Sequence, residues 1–486
     1  MWSDSPGHRS TRAAREAIAG LLPQPAGSPR PLRLALGLEP GSSPPALVAA
    51  TALPQAGVWL DGGDAGRHQI PLRVLAILSG DEGRSYLQVG ADTRDLDVEP
   101  LVALDAMLHH LGTVGAGVGP RFFGFLGYDL GAQIEEMPKL PPSDLPLPDM
   151  WFAVSDVWLE GEPGVGGHSV DWSLRADAAW CGESELRALR TQIQVKLRTA
   201  VGLDPAESIP AGALLVKSRP DEAGYRAAVR RTVARIHAGD LFEANICRRL
   251  EADWSRSAWS LYQKIRARSP AEYGAYLTYA DWAVLSVSPE MFLRVRGVAV
   301  QTRPIKGTRA RGRDSDEDFR LLQQLRDSEK DAAELSMIVD LARNDLGRVC
   351  VPGSIRVRKH RARMTLPTVH HTYSVVAGEL LPETSTCRLL RAAFPPGSVT
   401  GAPKIQAMRV AYAEEPCRRG VAMGSIGWID PCGDMELSVA IRTATVAAGR
   451  VTYHAGGGIV ADSSPEEELE ETVAKAQPFL QAIGDV

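Results

Sequence analysis

The chain has 486 residues, with 44% hydrophobic and 23% charged residues, and carries 54 Lys+Arg against 59 Asp+Glu for a net charge of −5. These values are ordinary for a protein with a large packed core, no apolar run approaches the roughly 18 residues that cross a bilayer, and the acidic balance gives no general attraction to nucleic acid. A membrane protein and a nucleic-acid binder are thereby set aside; the length suits about three average domains, or one large interwoven unit with a smaller N-terminal part.

Residues 1–45 are rich in Arg, Ser, Pro and Gly and lack the apolar stretch of a secretory signal, so they read as a flexible leader, and Asp4 and Glu16 weigh against an organellar transit peptide. From 46 to 200 short β-type runs alternate with Gly/Pro punctuation, at 49–53, Val74–Leu78, Phe122–Tyr128 and Trp151–Trp158, before a charge-rich helix from Glu183 to Ala200. The Pro/Gly-containing segment 202–212 is the expected linker to a second region, 213–484. That region opens with an amphipathic helix, Pro220–Ala238, followed by hairpin-like runs at Gly274–Val287 and Phe292–Val300. Ser328 with Asp331 signals the start of a helix running to Leu346, and Leu437–Val446 and Arg450–His454 read as strands about the turn Ala447-Ala448-Gly449. Ser464-Pro465 caps a terminal helix with an apolar stripe of Leu469, Val473, Ala476 and Leu480. Strands and helices mix without regular βαβ alternation, so the class is α+β. The six cysteines (181, 247, 350, 387, 417, 432) form no Cys-x-x-Cys pair and read as reduced and structural, in a cytoplasmic protein.

Lys306, in Thr302-Arg-Pro-Ile-Lys-Gly-Thr308, is a candidate nucleophile. A lysine reacts only as the free amine, so it must be desolvated or set beside other cations, and Arg303, Arg309 and Arg311 are near in sequence. Glu334 shares a helical stripe with Ile338 and Leu341; it is either paired with Lys330 at i−4 or a metal ligand. Glu471 fits a solvated helix face, or again a ligand. Gly456-Gly457-Gly458 offers backbone N–H groups to a carboxylate, or a tight bend. The loop Gly397–Lys404, entering a helix at Pro403, suits an anion but is not a Walker sequence. Arg442, mid-strand, wants a buried salt bridge or an anionic ligand. His370 and His371, adjacent on a strand, point to opposite faces and make poor joint metal ligands, so one of them is expected to face the site, and the basic run Arg356–Arg363 reads as a solvated strand edge. No Gly-x-Cys-x-Gly or Gly-x-Ser-x-Gly elbow is present.

In order, Ser288-Pro-Glu290, Pro304–Thr308, Ile338–Gly347, Phe394–Lys404, Ala440–Thr443 and Ala455–Asp462 resemble the chorismate-utilising enzymes over about 217–481, with a fainter likeness at Phe125–Leu130 and Leu147–Met150. Within that family Pro-Ile-Lys-Gly-Thr is typical of the aminodeoxychorismate synthase component I branch, where anthranilate synthases usually carry alanine for the lysine. The resemblance implies two packed antiparallel sheets with outer helices. It implies conversion of chorismate and ammonia to 4-amino-4-deoxychorismate, for 4-aminobenzoate and folate. Lys306 would be the nucleophile and Glu290 the acid/base; Glu334 and Glu471 would hold Mg2+. Gly307, Thr308, His371, Thr400, Gly401, Trp428, Arg442, Gly456, Gly457, Gly458 and Lys475 would bind substrate. No amidotransferase triad is evident, so a separate glutamine amidotransferase subunit would supply ammonia. Three positions depart from the family pattern: Trp428 stands for the usual Tyr, Glu243 for the usual Gln, and Trp59–Gly62 replaces the segment whose serine helps hold regulatory tryptophan. The rivals are anthranilate synthase component I and a non-catalytic chorismate-binding regulatory subunit; the second predicts loss of Lys306, Glu334 or Glu471, and all three are present.

Overall fold

The computed structural model describes residues 14–22, 30–36, 56–63, 66–113, 119–164, 170–199, 214–366 and 369–484; the expected strand at 49–53 and linker at 202–212 lie outside them. The strands form two antiparallel sheets. In the first, Lys217–Arg219, Glu243–Asp253, Arg450–Ile459, Thr443–Ala447, Trp282–Ser288, Tyr273–Tyr279 and Ala56–Asp61 lie side by side in that order. In the second the order is His68–Asp81, Met150–Pro163, Arg121–Leu126, Ser425–Ile429, Met435–Val439, Met291–Arg296, Ala299–Arg303, Val369–Glu379 and Arg356–Thr365. Ile305–Ala310 joins the Val369–Glu379 strand beside Ala299–Arg303. Among the described residues the strand ladders of the two sheets meet at one residue pair, Leu60 with Gln69.

Both sheets mix strands from the two halves of the sequence, because apolar faces from each half are buried against the other. Val58, Leu277, Trp282 and Val284 of the first sheet pack with Ile77, Phe125, Trp151 and Ile426 of the second. Trp151 and Trp282 meet edge to face at 5.3 Å. Burial on this scale, at about 25 cal/mol per Å² of apolar surface, is what holds the sheets together.

The chain changes sheets at two places that matter for the site. Trp282–Ser288 belongs to the first sheet and Met291–Arg296 to the second, so Ser288-Pro289-Glu290 is a crossing. Met435–Val439 belongs to the second and Thr443–Ala447 to the first, so the run expected as one strand, Leu437–Val446, is broken. Arg442 is therefore not mid-strand; it sits at the crossing with φ +50°. Hydropathy stays apolar throughout because both strands are buried, which hides the break.

Two further expectations change. Within the leader, Ala14, Ile18 and Leu22 are buried, and Pro31–Ala35 pairs with Val170–Asp177, so apolar side chains tie these segments down. In the terminal helix, Pro465–Ile483, the buried stripe is Leu469, Thr472, Ala476 and Phe479, while Val473 is 44% exposed. Thr472 takes the inward place because its hydroxyl donates to Leu469 O and accepts from Arg248 Nε at 2.8 Å. The helix Glu329–Gly347 begins as expected, the Ser328 hydroxyl accepting from Asp331 N at 3.2 Å. Among the described residues no helix is long and apolar enough to cross a membrane.

Candidate active site

Lys306 lies on Ile305–Ala310, where Lys306 pairs with Thr372 and Thr308 with His371. Gly307 is the extra residue of a bulge, at φ +83°, and a Cβ there would come within 2.9 Å of Thr372 Oγ1 and 3.0 Å of Asp331. Such a bulge re-aims the neighbouring side chain. Lys306 Nζ reaches across to the first sheet and contacts Glu243 Oε1, with Glu334 Oε2 at 3.8 Å. The Glu243 side chain is wholly buried and its other oxygen has no hydrogen-bond partner. Burial by itself would lower the lysine's pKa, but Glu243, Glu334 and Glu471 outweigh it and hold the ammonium above its ordinary range. The expectation that arginines depress it is overturned: Arg303 pairs with Glu272 (2.5 Å), Arg309 with Asp331 (3.0 Å) and Arg311 with Asp318 (2.7 Å). Side chains near in sequence found their own carboxylates, and the lysine's neighbours come from distant elements.

Glu334, on the Glu329–Gly347 helix, is pushed up to about 7 by burial, against the pull of Lys306. Lys330 does not pair with it at i−4 but reaches Glu468 Oε1 at 3.6 Å. On the terminal helix burial raises Glu471, yet Lys475, at 2.6 Å, together with Lys306 and Lys330, brings it below the ordinary carboxylate range. Lys475 Nζ also donates to Gly456 O at 2.8 Å.

Gly456, Gly457 and Gly458 are inside the Arg450–Ile459 strand rather than after it, paired with Cys247, Ile246 and Asn245. Their missing side chains make the room that the charged groups occupy. A Cβ on Gly457 would stand 2.5 Å from Glu468 Oε2, and one on Gly458 2.4 Å from Glu243 Oε1 and 2.8 Å from Lys306 Nζ.

Arg442 donates to Ser269 Oγ at 3.3 Å and approaches His371 Nε2 at 3.5 Å. Among the described residues it makes no ion pair with a carboxylate, and burial lowers its pKa. His371 Nδ1 is 2.8 Å from the Thr308 hydroxyl; burial, reinforced by Arg442, pushes its pKa down to about 3, so the ring is neutral. His370 faces away, 3.0 Å from Asp318, and the two histidines are divided between faces as alternation requires. Glu290, at the first crossing, accepts from Ser398 Oγ at 2.6 Å, and burial raises its pKa to about 7. It is thus divided between acid and base near neutrality. Thr400 is fully buried, its hydroxyl given to Pro396 O (3.2 Å) and Gly397 O (3.1 Å). Gly401 runs so close to Glu243 that a Cβ would be 2.2 Å from the latter's carbonyl oxygen.

Trp428 is placed elsewhere. It lines a separate cavity of about 380 Å³ with Tyr273, Arg294, Glu436 and Asp61, and its ring is stacked by the Arg121 guanidinium at 3.8 Å. Asp61 of the departing segment is buried and paired with His68, Tyr262 and Arg266. Sequence reasoning also missed Glu468 and Ser398. The first is legible as i−3 of Glu471 on one helix face; the second meets Glu290 only through the fold. As a cation site, Glu334 and Glu471 are acidic oxygen donors that act on the same two lysines, and the buried Glu468 Oε2 lacks a partner. Among the described residues no three His, Cys, Asp or Glu groups converge as a closed metal shell. Mg2+ takes one or two carboxylates and completes its shell with water and substrate oxygens, so Glu334 and Glu471 are the residues that would hold it.

Residues 58–481 match the family model for chorismate binding enzymes. Aminodeoxychorismate synthase component 1 of Salmonella typhimurium is 37% identical over 74% of this chain and 76% of its own. That of Bacillus subtilis is 33% identical over 88% and 91%. Anthranilate synthase component 1 of Thermus thermophilus is 37% identical over 75% and 78%. Anthranilate synthase component I from Streptococcus pneumoniae superposes with a TM-score of 0.74 at 30% identity, over 85% of this chain and 92% of that one. The menaquinone-specific isochorismate synthase from Escherichia coli, at 18% identity, shares the fold with a TM-score of 0.70 over 97% and 99%. With its motifs, its two-sheet fold and these relatives in agreement, the chain belongs to the chorismate binding enzyme family.

Proposed function

We propose that this protein is an aminodeoxychorismate synthase subunit, converting chorismate and ammonia to 4-amino-4-deoxychorismate and water on the way to 4-aminobenzoate and folate. The observation that carries the reading is Lys306 itself, on a bulge between the sheets, its amine against a buried carboxylate and in one site with a buried arginine that has no ion-pair partner among the described residues. A dicarboxylate substrate suits that division of charge: Arg442 takes one carboxylate. Glu334 and Glu471 would hold Mg2+ against the other, and the ion would offset the repulsion between carboxylates.

In the reaction Lys306 gives its proton to Glu243, the carboxylate already in contact with it, and its free amine forms a bond to C2 of chorismate. Both ring double bonds shift and the C4 hydroxyl leaves as water, taking a proton from Glu290, whose pKa near 7 suits a group that must donate and be recharged at neutral pH. Ammonia then adds at C4, the double bonds shift back and the lysine is expelled from C2 as the free amine; the extra proton on the new nitrogen recharges Glu290, and Lys306 takes its own proton back from Glu243. The neutral His371 fixes Thr308 and stands beside Arg442 without adding charge. Ammonia comes from a separate glutamine amidotransferase subunit.

The Thermus relative favours a second reading, anthranilate synthesis. Lys306 argues against it, since an amination at C2 needs that carbon free. One assay decides: purified protein with chorismate, Mg2+ and ammonium, the product identified by mass and by its conversion to 4-aminobenzoate with a lyase. Anthranilate as the product, or none, would overturn the proposal.

A further inference from the structure

The backbone of Glu290 is pinned at the crossing between the sheets: its N–H donates to Ser288 Oγ at 3.2 Å and its carbonyl accepts from Val439 N at 3.0 Å. The residue is 3% exposed, and among the described residues its carboxyl group has one side-chain hydrogen-bond partner, the Ser398 hydroxyl at 2.6 Å. That hydroxyl has no other partner among them, so its proton is given to Glu290 Oε1. The loop carrying Ser398 is fastened on both sides of it. Gly397 lies so close to the helix Glu329–Gly347 that a Cβ would come within 2.8 Å of Leu341 Cδ2, and Val399 O accepts from the buried Arg419 at 2.9 Å. At the loop's end Lys404 directs all three ammonium protons into the protein, to Asp345 Oδ2 (2.8 Å), Pro395 O (2.8 Å) and Ala393 O. A short polar side chain held this firmly can fix the place of the group it touches.

We propose that Ser398 is a positioning residue for the acid/base step: its hydroxyl holds Oε1 of Glu290, so that the proton delivered to the C4 oxygen of the substrate is carried on the other carboxyl oxygen. The proposal rests on the proposed function, in which Glu290 protonates the C4 hydroxyl as it leaves as water. The last torsion of a glutamate side chain is broad, and an untethered carboxyl would present its proton on either oxygen. With Oε1 committed as an acceptor, the protonated group has one arrangement and meets the substrate already oriented. The same hydrogen bond favours the carboxylate, the form to which Glu290 must return before it can take the proton that arrives with ammonia. Lys306 and Arg303, on the strands beside it, and the Ile305 backbone act on its charge in the same direction. Asp345, paired with Lys404, lines a cavity of about 30 Å³ together with Glu290 and Ser398.

The test is the pH dependence of kcat in Ser398→Ala and Ser398→Thr, at saturating chorismate, Mg2+ and ammonia. Loss of the hydroxyl removes a bond that stabilises the carboxylate, so Glu290 keeps its proton to higher pH. The limb on which the rate falls as Glu290 ionises should therefore move up by about one pH unit in Ser398→Ala. At pH 7 kcat should fall about tenfold while KM for chorismate stays within about twofold. Ser398→Thr retains the hydroxyl and should keep the parent's limb; Ser398→Gly carries the expectation of Ser398→Ala should the latter not fold. The infrared carboxyl band of Glu290, identified by its loss in Glu290→Gln, should titrate in step with the rate. A limb that stays in place in Ser398→Ala, or moves equally in Ser398→Thr, overturns the role, because a merely structural serine would lower the rate alike at every pH. Failure of the parent to make aminodeoxychorismate from ammonium would instead overturn the function, and the infrared titration would still decide whether Ser398 holds Glu290.

Discussion

Gly458→Ala is the sharpest probe of the geometry at the lysine. The added methyl would lie 2.4 Å from Glu243 Oε1 and 2.8 Å from Lys306 Nζ, whereas carbon atoms ordinarily settle at about 3.5 Å or more from such neighbours. One or both side chains must move by about 1 Å. Displacement of that size in a reacting group costs about 10²-fold in rate, or about 2.7 kcal/mol of barrier. The atoms in the way are the ends of side chains and not backbone, so the fold should survive with its melting temperature little changed. The assay is ammonium-dependent product formation under saturating chorismate, beside a thermal melt. A variant with the parent's kcat would refute the placement of Lys306 and Glu243 against this glycine; a variant that fails to fold would show the strand less tolerant than the side-chain contacts indicate.

Lys306→Ala should lower product formation by about three orders of magnitude or more while circular dichroism stays native, since it removes the nucleophile and little packing; substantial residual activity would end the covalent role. Glu334→Gln and Glu471→Gln should each raise the Mg2+ concentration for half-maximal rate by about tenfold, and unchanged midpoints in both would leave these carboxylates without a metal role. His454 is buried, and burial together with Arg249 and Arg419 holds its pKa down to about 3. Below the unfolded value near 6.5 the unfolded chain binds a proton that the native state refuses, so stability falls as the pH drops. His454→Gln should therefore lose about 2 kcal/mol less than the parent between pH 7 and pH 5 in urea titrations, and an equal loss would show the ring protonated in the native state.

Much of this protein is local information. The Ser328 cap and the alternation that divides His370 from His371 follow from backbone geometry over a few residues, and the structure keeps them. The motif order was also enough to foresee the two-sheet fold. What the sequence could not supply was which distant groups meet. It put arginines beside Lys306, and folding replaced them with Glu243 from the other sheet and Glu334 from a helix. It read Leu437–Val446 as one strand because both sheets are apolar, and only their packing fixes the crossing that presents Arg442. It grouped Trp428 with the substrate residues, and the fold gives that ring to Arg121 in a different cavity. Periodicity reports which side of an element is buried; the sign of the charge it is buried against is set by chain segments hundreds of residues away, and only the tertiary structure decides that.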